Sequence, residues 1–243
     1  MKATVLQTLL AAALLLTAGA AQAQISFGPR VGLNLASVRY KTNYSLQADP
    51  DTKIKVGAQV GVTLNARFGN LAVQPSVLFS QKGYTTDESG SQTIGGATST
   101  YERKDDVRLN YLDVPVNLVY TPGGLGFQVF AGPYLGIGLG GRVEGESELE
   151  ETALGGSTRN SSNKYDYQVA FADSRTDDNK AYYRRVNLGL NGGIGYRAGP
   201  VQAQLGYALG LSDMLPNTIV NGGSKMKDGT VQFALTYLFG AGN

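Results

Sequence analysis

The sequence predicts an all-β protein, an antiparallel eight-stranded up-and-down transmembrane β-barrel. Three observations predict it. Apolar and polar residues alternate over runs of about a dozen residues, the connections between runs alternate long and short, and the polar positions hold small and amide side chains. Alternation with period two marks a strand with two unlike faces. It is clearest in Leu109 to Tyr120, L-N-Y-L-D-V-P-V-N-L-V-Y, where Leu112, Val114, Val116, Leu118 and Tyr120 alternate with Tyr111, Asp113, Pro115, Asn117 and Val119. That length suits a tilted strand crossing a bilayer, which needs about 9–11 residues.

Residues 1–23 read as a secretory signal peptide. Lys2 supplies the positive start, Leu9 to Leu16 the apolar centre, and Ala21-Gln22-Ala23 an A-x-A site with cleavage between Ala23 and Gln24. Residues 24–243 then form one barrel domain. Beyond the signal no apolar run approaches the roughly 18 residues of a membrane helix. A chain that enters a membrane without helices must do so as a closed barrel, because lipid offers backbone groups no partners.

The first strand is Ile25 to Ser37, with Ile25, Phe27, Val31, Leu33 and Leu35 opposite Arg30, Gly32, Asn34 and Ala36. After a polar connection, Lys55 to Phe68 forms the second, and Gly69-Asn70 turns it into the third, Leu71 to Lys82. Gly83 to Asp106 reads as a long polar loop. The Leu109–Tyr120 strand follows, then the short turn Thr121-Pro122-Gly123-Gly124 and the fifth strand, Phe127 to Leu139. The longest loop, Gly140 to Tyr182, contains an alternating Tyr165, Tyr167, Val169, Phe171 that could extend a hairpin above the membrane. Strands six to eight are Tyr183–Arg197, Val201–Ser212 and Thr230–Phe239, with the last loop at Asp213 to Asp228. Antiparallel neighbours place all short turns at one end, the periplasmic end of an outer-membrane barrel, and all long loops outside.

The same alternation fits a soluble carrier of the lipocalin kind, with its apolar face inward around a ligand. Two features favour lipid outside. The polar face is almost free of Glu and Lys, unlike a water-facing surface. Phe27, Phe68, Tyr120, Phe127, Tyr196 and Phe239 lie on the apolar face near short turns, as an aromatic girdle at the periplasmic interface would. Pro29, Pro75, Pro115 and Pro133 fall inside strands, where each removes a ladder hydrogen bond; β-bulges at some of them are expected.

Y-L-D-V-P-V-N-L-V-Y at Tyr111 to Tyr120, A-G-P-Y-L-G at Ala131 to Gly136, L-G-Y-A-L-G-L-S-D at Leu205 to Asp213 and T-V-Q-F-A-L-T-Y-L-F at Thr230 to Phe239 resemble the PorT-like outer-membrane β-barrel proteins of Bacteroidetes-type bacteria. The resemblance covers nearly all of residues 24–243. It implies an eight-stranded barrel in the cell outer membrane, and for some such families a link to protein secretion. The row Phe233, Leu235, Tyr237, Phe239 resembles the C-terminal signal read by the outer-membrane assembly machinery, although Gly240 to Asn243 follow it.

The composition narrows the chemistry. There is no His and no Cys, which removes the usual general base and thiolate or disulfide chemistry. With 21 basic and 19 acidic residues, nothing points to nucleic acid. No cofactor motif is present, since Gly136 to Gly141 lacks the Lys and following helix of a phosphate loop. The chain therefore reads as a non-enzyme. Asp113 is the one carboxylate facing inward in the predicted strands. Arg30, at a similar height, is its expected salt-bridge partner across the lumen, and Tyr134 an added hydroxyl donor. The loop acids Glu144, Glu146, Glu148, Glu150, Glu151, Asp173, Asp177 and Asp178 lack the spacing of a calcium loop and read as solvated surface. The expected role is a structural or interaction platform using its external loops, with a small pore or secretion accessory as the alternative. Membrane lipids and the assembly machinery are the partners implied; the loops themselves name none.

Overall fold

The computed structural model describes residues 24–41, 52–124, 126–172, 177, 179–216 and 224–240. The segment read as a signal peptide lies outside them, and Gln24 opens the first strand. Ten strands are present among the described residues. They are β1 (Gln24–Lys41), β2 (Thr52–Phe68), β3 (Leu71–Ile94), β4 (Ala97–Tyr120), β5 (Phe127–Thr152), β6 (Thr158–Phe171), β7 (Lys180–Tyr183), β8 (Val186–Ala198), β9 (Val201–Gly210) and β10 (Lys225–Tyr237). β1-β2-β3-β4-β5-β8-β9-β10 form a ring, every neighbour antiparallel, closed where β1 meets β10. This is the eight-stranded barrel. β6 and β7 stand outside the ring.

Alternation decides the faces as the sequence implies. Phe27, Val31, Leu33 and Leu35 of β1 project outward, while Ser26, Arg30 and Asn34 are buried inside. The same division runs through Val60, Val62 and Leu64 against Gln59, Thr63 and Asn65 on β2, and Phe233 and Leu235 against Ala234 and Thr236 on β10. The carrier alternative required the apolar face inside and is overturned. The β2–β3 and β8–β9 turns use Gly69 and Gly199 at positive φ (60° and 57°), which a Cβ would strain.

The prolines do not carry the expected bulges. Pro29 lies opposite Val62, Pro75 opposite Val116, Pro115 opposite Tyr134 and Pro133 opposite Leu190, all in unbroken register. Around them the ladder omits pairs instead. None is formed between Pro75↔Val116 and Leu78↔Asp113, or between Pro115↔Tyr134 and Leu118↔Ala131, yet the offset is the same on either side. A missing N–H removes a bond without inserting a residue. The register shifts lie between Ile54 and Gln59, and where Tyr111 faces Gly138 but Asn110 faces Gly140, which leaves Leu139 as the extra residue on β5. That bulge turns Val143 inward although Leu135 and Leu139 belong to the outward row.

Two stretches read as loops are strands. β3 and β4 stay paired to Ile94↔Ala97 and turn through Gly95 and Gly96, whose φ values are positive. β4–β5 pairing continues to Thr98↔Thr152, and β5–β6 to Thr152↔Thr158. The upper halves of β3, β4, β5 and β6 thus form one four-stranded sheet standing above the apolar belt. Its polar composition hid it, since only a strand half in lipid needs an apolar face.

Val31 sits near the middle of the outward row of β1, between Val60 and Leu235. Val31→Arg should cost about 2–4 kcal/mol if that row meets the bilayer centre. Thr63→Ser, inside the lumen, should be milder. Urea unfolding of vesicle-refolded protein measures both, and equal small losses would refute the face assignment.

Candidate functional site

The lumen is filled in layers. At the short-turn end, Gln74 Nε2 donates to Asn65 Oδ1 at 2.8 Å, Asn65 Nδ2 to Ser26 Oγ at 3.1 Å, and Gln202 Nε2 to Gln128 Oε1 at 2.6 Å. Above lie the Thr63–Ser76 hydroxyl pair (2.8 Å) and Arg30, which donates to Gln204 Oε1 at 2.7 Å. Amides and hydroxyls suit this position because each carries both donor and acceptor groups that bond across strands where water is displaced.

The next layer holds charge. Lys82, on β3, places Nζ 2.9 Å from Asp113 Oδ2 of β4 and 3.7 Å from Asp228 Oδ2 of β10. The same ammonium lies 4.9 Å from the Tyr134 ring centre and 5.3 Å from that of Tyr111. Asp228 also accepts from Asn187 Nδ2 at 2.9 Å and from the Tyr134 hydroxyl at 3.3 Å. A cation enclosed by two carboxylates and two ring faces is held by Coulomb and cation–π attraction together. Glycines make the room: a Cβ on Gly189 would come within 2.3 Å of the Tyr134 ring, and one on Gly136 within 2.8 Å of Asp113 Oδ1.

This corrects the expected Asp113–Arg30 salt bridge. Both side chains point into the lumen and border the same gap, which has room for no more than about one water. The partner of Asp113 is nevertheless Lys82, from the adjacent strand, and Arg30 is engaged by Gln204. Tyr134 donates to Asp228 rather than to Asp113. Asp228 escaped notice because it was assigned to the loop before the last strand, whereas β10 begins at Lys225. Lys82 shares the parity of Gln74, Ser76 and Ser80, so the alternation already pointed it inward.

An apolar plug closes the outer end. Val38, Leu109, Tyr111, Val143, Val169, Tyr183, Met214 and Met226 form one buried cluster. Phe171 of β6 packs edge-on to Tyr111 with ring centres 5.3 Å apart, over Gly138. Beyond it, the projecting sheet carries stacked Tyr165 and Tyr167 (5.3 Å), with Arg103 5.4 Å from the Tyr165 ring and paired to Asp105. Tyr165 also donates to Asp105. On the opposite face Arg142 bridges Glu144 and Asp166, and its hydrogen bonds hold the Asp166 carboxyl below the ordinary range. Lys164 meets Glu146 at 3.3 Å. Of the remaining loop acids, Asp173 and Asp178 lie outside the described residues. Among the described residues no group of acids is arranged to hold a metal ion.

The residues expected in the girdle lie at the short-turn end. Phe27, Tyr120, Phe127, Tyr196 and Phe239 are exposed there and Phe68 is half-buried. Phe27 and Phe239 meet across the closing seam, ring centres 6.1 Å apart, with mutual backbone hydrogen bonds.

Removing one member of a buried charge pair typically costs about 3–5 kcal/mol. Lys82→Ala and Asp113→Ala should each approach this, and together should cost clearly less than the sum. Arg30→Ala and Asp113→Ala should combine nearly additively. Double-mutant cycles on unfolding of the refolded barrel distinguish the two; the reverse pattern would restore the Arg30 partnership.

The outer membrane protein beta-barrel domain family model matches residues 20–215. No curated protein matches the chain. Among solved structures, the chain is similar to Ail, the attachment invasion locus protein of Yersinia pestis in complex with the heparin analogue sucrose octasulfate. The identity is 14%, over 89% of this chain and 99% of that one, with a TM-score of 0.36. Neisserial surface protein A is similar at 15% identity, over 86% and 96%, with a TM-score of 0.34. The TodX monoaromatic hydrocarbon channel is similar at 6%, over 88% and 90%, with a TM-score of 0.26. The match to the family model spans most of the chain and agrees with the ring of strands and its outward apolar belt: this protein belongs to the outer membrane protein beta-barrel domain family and resides in the cell outer membrane.

Proposed function

We propose that the protein is a non-enzymatic outer-membrane barrel that displays the β3–β6 sheet as an interaction platform. The observation that carries this reading is a contrast. The lumen is blocked by amide, charge and apolar layers, while four strands continue well above the belt with Tyr, Arg, Asn and Ser on their surfaces. Rigid tyrosines bring contact area at little entropic cost, and short polar side chains adapt to a partner. Within the family we assign the chain to the PorT-like branch, on the motifs around Asp113, Pro133 and Tyr207. We also infer that a signal peptide is removed between Ala23 and Gln24, and that the Phe233–Phe239 row engages the assembly machinery. Membrane lipids surround the belt.

The transport alternative needs an open lumen. Purified protein in planar bilayers should show no steady conductance, since a barrel of this size has its interior occupied by side chains. Reproducible porin-like steps would overturn the platform reading. A second experiment trims the sheet by closing β3–β4 after the Asp87↔Lys104 pair and β5–β6 after Glu146↔Lys164, each with a two-residue turn. The trimmed chain should still refold with heat-modifiable mobility, because its ring is untouched. Failure to refold would make the sheet part of the barrel's own folding rather than a display.

A further inference from the structure

The seam that closes the barrel carries an unusual register. On the outward face of β1 and β10, Leu35 pairs with Val231 at the top of the apolar belt and Ser37 with Gly229. The next two outward pairs are Arg39↔Lys227 and Lys41↔Lys225. Directly opposite side chains in an antiparallel ladder start roughly 5 Å apart, and like charges there repel. Several other cations outside the lumen do meet acids. Lys55 and Arg108 meet Asp106, Arg103 meets Asp105, Arg142 meets Asp166 and Lys164 meets Glu146. Arg39, Lys41, Lys225 and Lys227 have no acidic partner among the described residues. Nearby Asp213 instead uses its carboxylate to accept from the Leu215 and Met226 N–H groups.

We propose that these four cations bind the phosphate groups of an anionic lipid headgroup in the outer leaflet. Their height selects that partner. Two small residues, Ser37 and Gly229, separate them from the last lipid-facing apolar pair, which puts the guanidinium and ammonium groups at headgroup level. Tyr207 of β9 lays its hydroxyl over Gly229, adding an amphipathic ring at the same boundary. An anion between the opposed cations turns a repulsive seam into a set of charge-assisted hydrogen bonds. Arg39 can take one phosphate through two N–H groups, and the three lysines act as point charges around it.

The test uses the full chain refolded in zwitterionic micelles, titrated with bis-phosphorylated lipid A and separately with the same lipid lacking its phosphates, and bound lipid is counted by native mass spectrometry. The phosphorylated form should bind about tenfold more tightly, with the preference falling as salt rises. A quadruple Arg39→Gln, Lys41→Gln, Lys225→Gln, Lys227→Gln variant should lose the preference, whereas Arg142→Gln with Lys164→Gln should keep it. Arg39→Glu with Lys41→Glu guards against misfolding as the cause. It supplies Lys227 and Lys225 with cross-strand acids, so it should fold at least as stably as the wild type and still lose the preference. Equal binding of both lipids, an unchanged quadruple variant, or retained preference in the double Glu variant would each overturn the proposal. Displacement of the lipid by inorganic phosphate at comparable concentration would also overturn it, by marking a free-anion site.

Discussion

Everything in this molecule depends on the pairing of β1 with β10. A strand in hydrocarbon cannot leave its N–H and C=O groups exposed, so a membrane sheet is viable only when its two ends meet. Here the seam runs from Arg30↔Thr236 to Lys41↔Lys225, and the Phe27↔Phe239 bridge extends it downward. Once the ring is shut, side-chain direction follows from the pleat. One set faces lipid and must be apolar; the other faces a narrow lumen and must find partners within it. The omitted pairs beside Pro75, Pro115 and Pro133 are tolerable because the ring around them holds the offset constant.

The lumen shows how buried polarity is made tolerable. Amides near the short turns bond to one another across strands, which needs no net charge. The charged layer is more demanding, since burying ions costs several kcal/mol unless each is compensated. Lys82 is placed to satisfy that, with two carboxylates near its ammonium and two tyrosine rings about it. Lys82 lies on β3 and its neighbours come from β4, β5 and β10, so the cluster ties together strands far apart in sequence. Above it the plug excludes water and lowers the local dielectric, which strengthens the pairs beneath.

The Leu139 bulge links the barrel to the sheet. Without it, the parity of β5 would carry Val143 outward and leave a gap in the plug. With it, Val143 joins Leu109, Tyr111 and Val169 over the mouth. The glycines around the bulge serve the same end, since Phe171 reaches Tyr111 only because Gly138 has no side chain beneath its ring. The projecting sheet is therefore a continuation of the barrel wall that leans on its own plug.

The sequence by itself determined the eight lipid-facing strands, their faces and the ends at which they turn. Period-two alternation is a local property, and lipid on one side enforces it within the apolar belt. Lys82 was legible by parity alone, as it continues the row Gln74, Ser76, Ser80. What only the tertiary structure decided was anything that depends on register. Asp113 has two lumen cations beside it, and the stagger between strands chooses Lys82 over Arg30. Asp228 became visible only when β10 began earlier than its apolar residues do. The upper sheet carries little apolar signal because both its faces meet water or the plug, so its strands follow from pairing with neighbours that leave the membrane beside them. The opposed cations of the seam belong to the same class. Arg39 and Lys227 lie far apart along the chain, and closure of the ring alone sets them face to face.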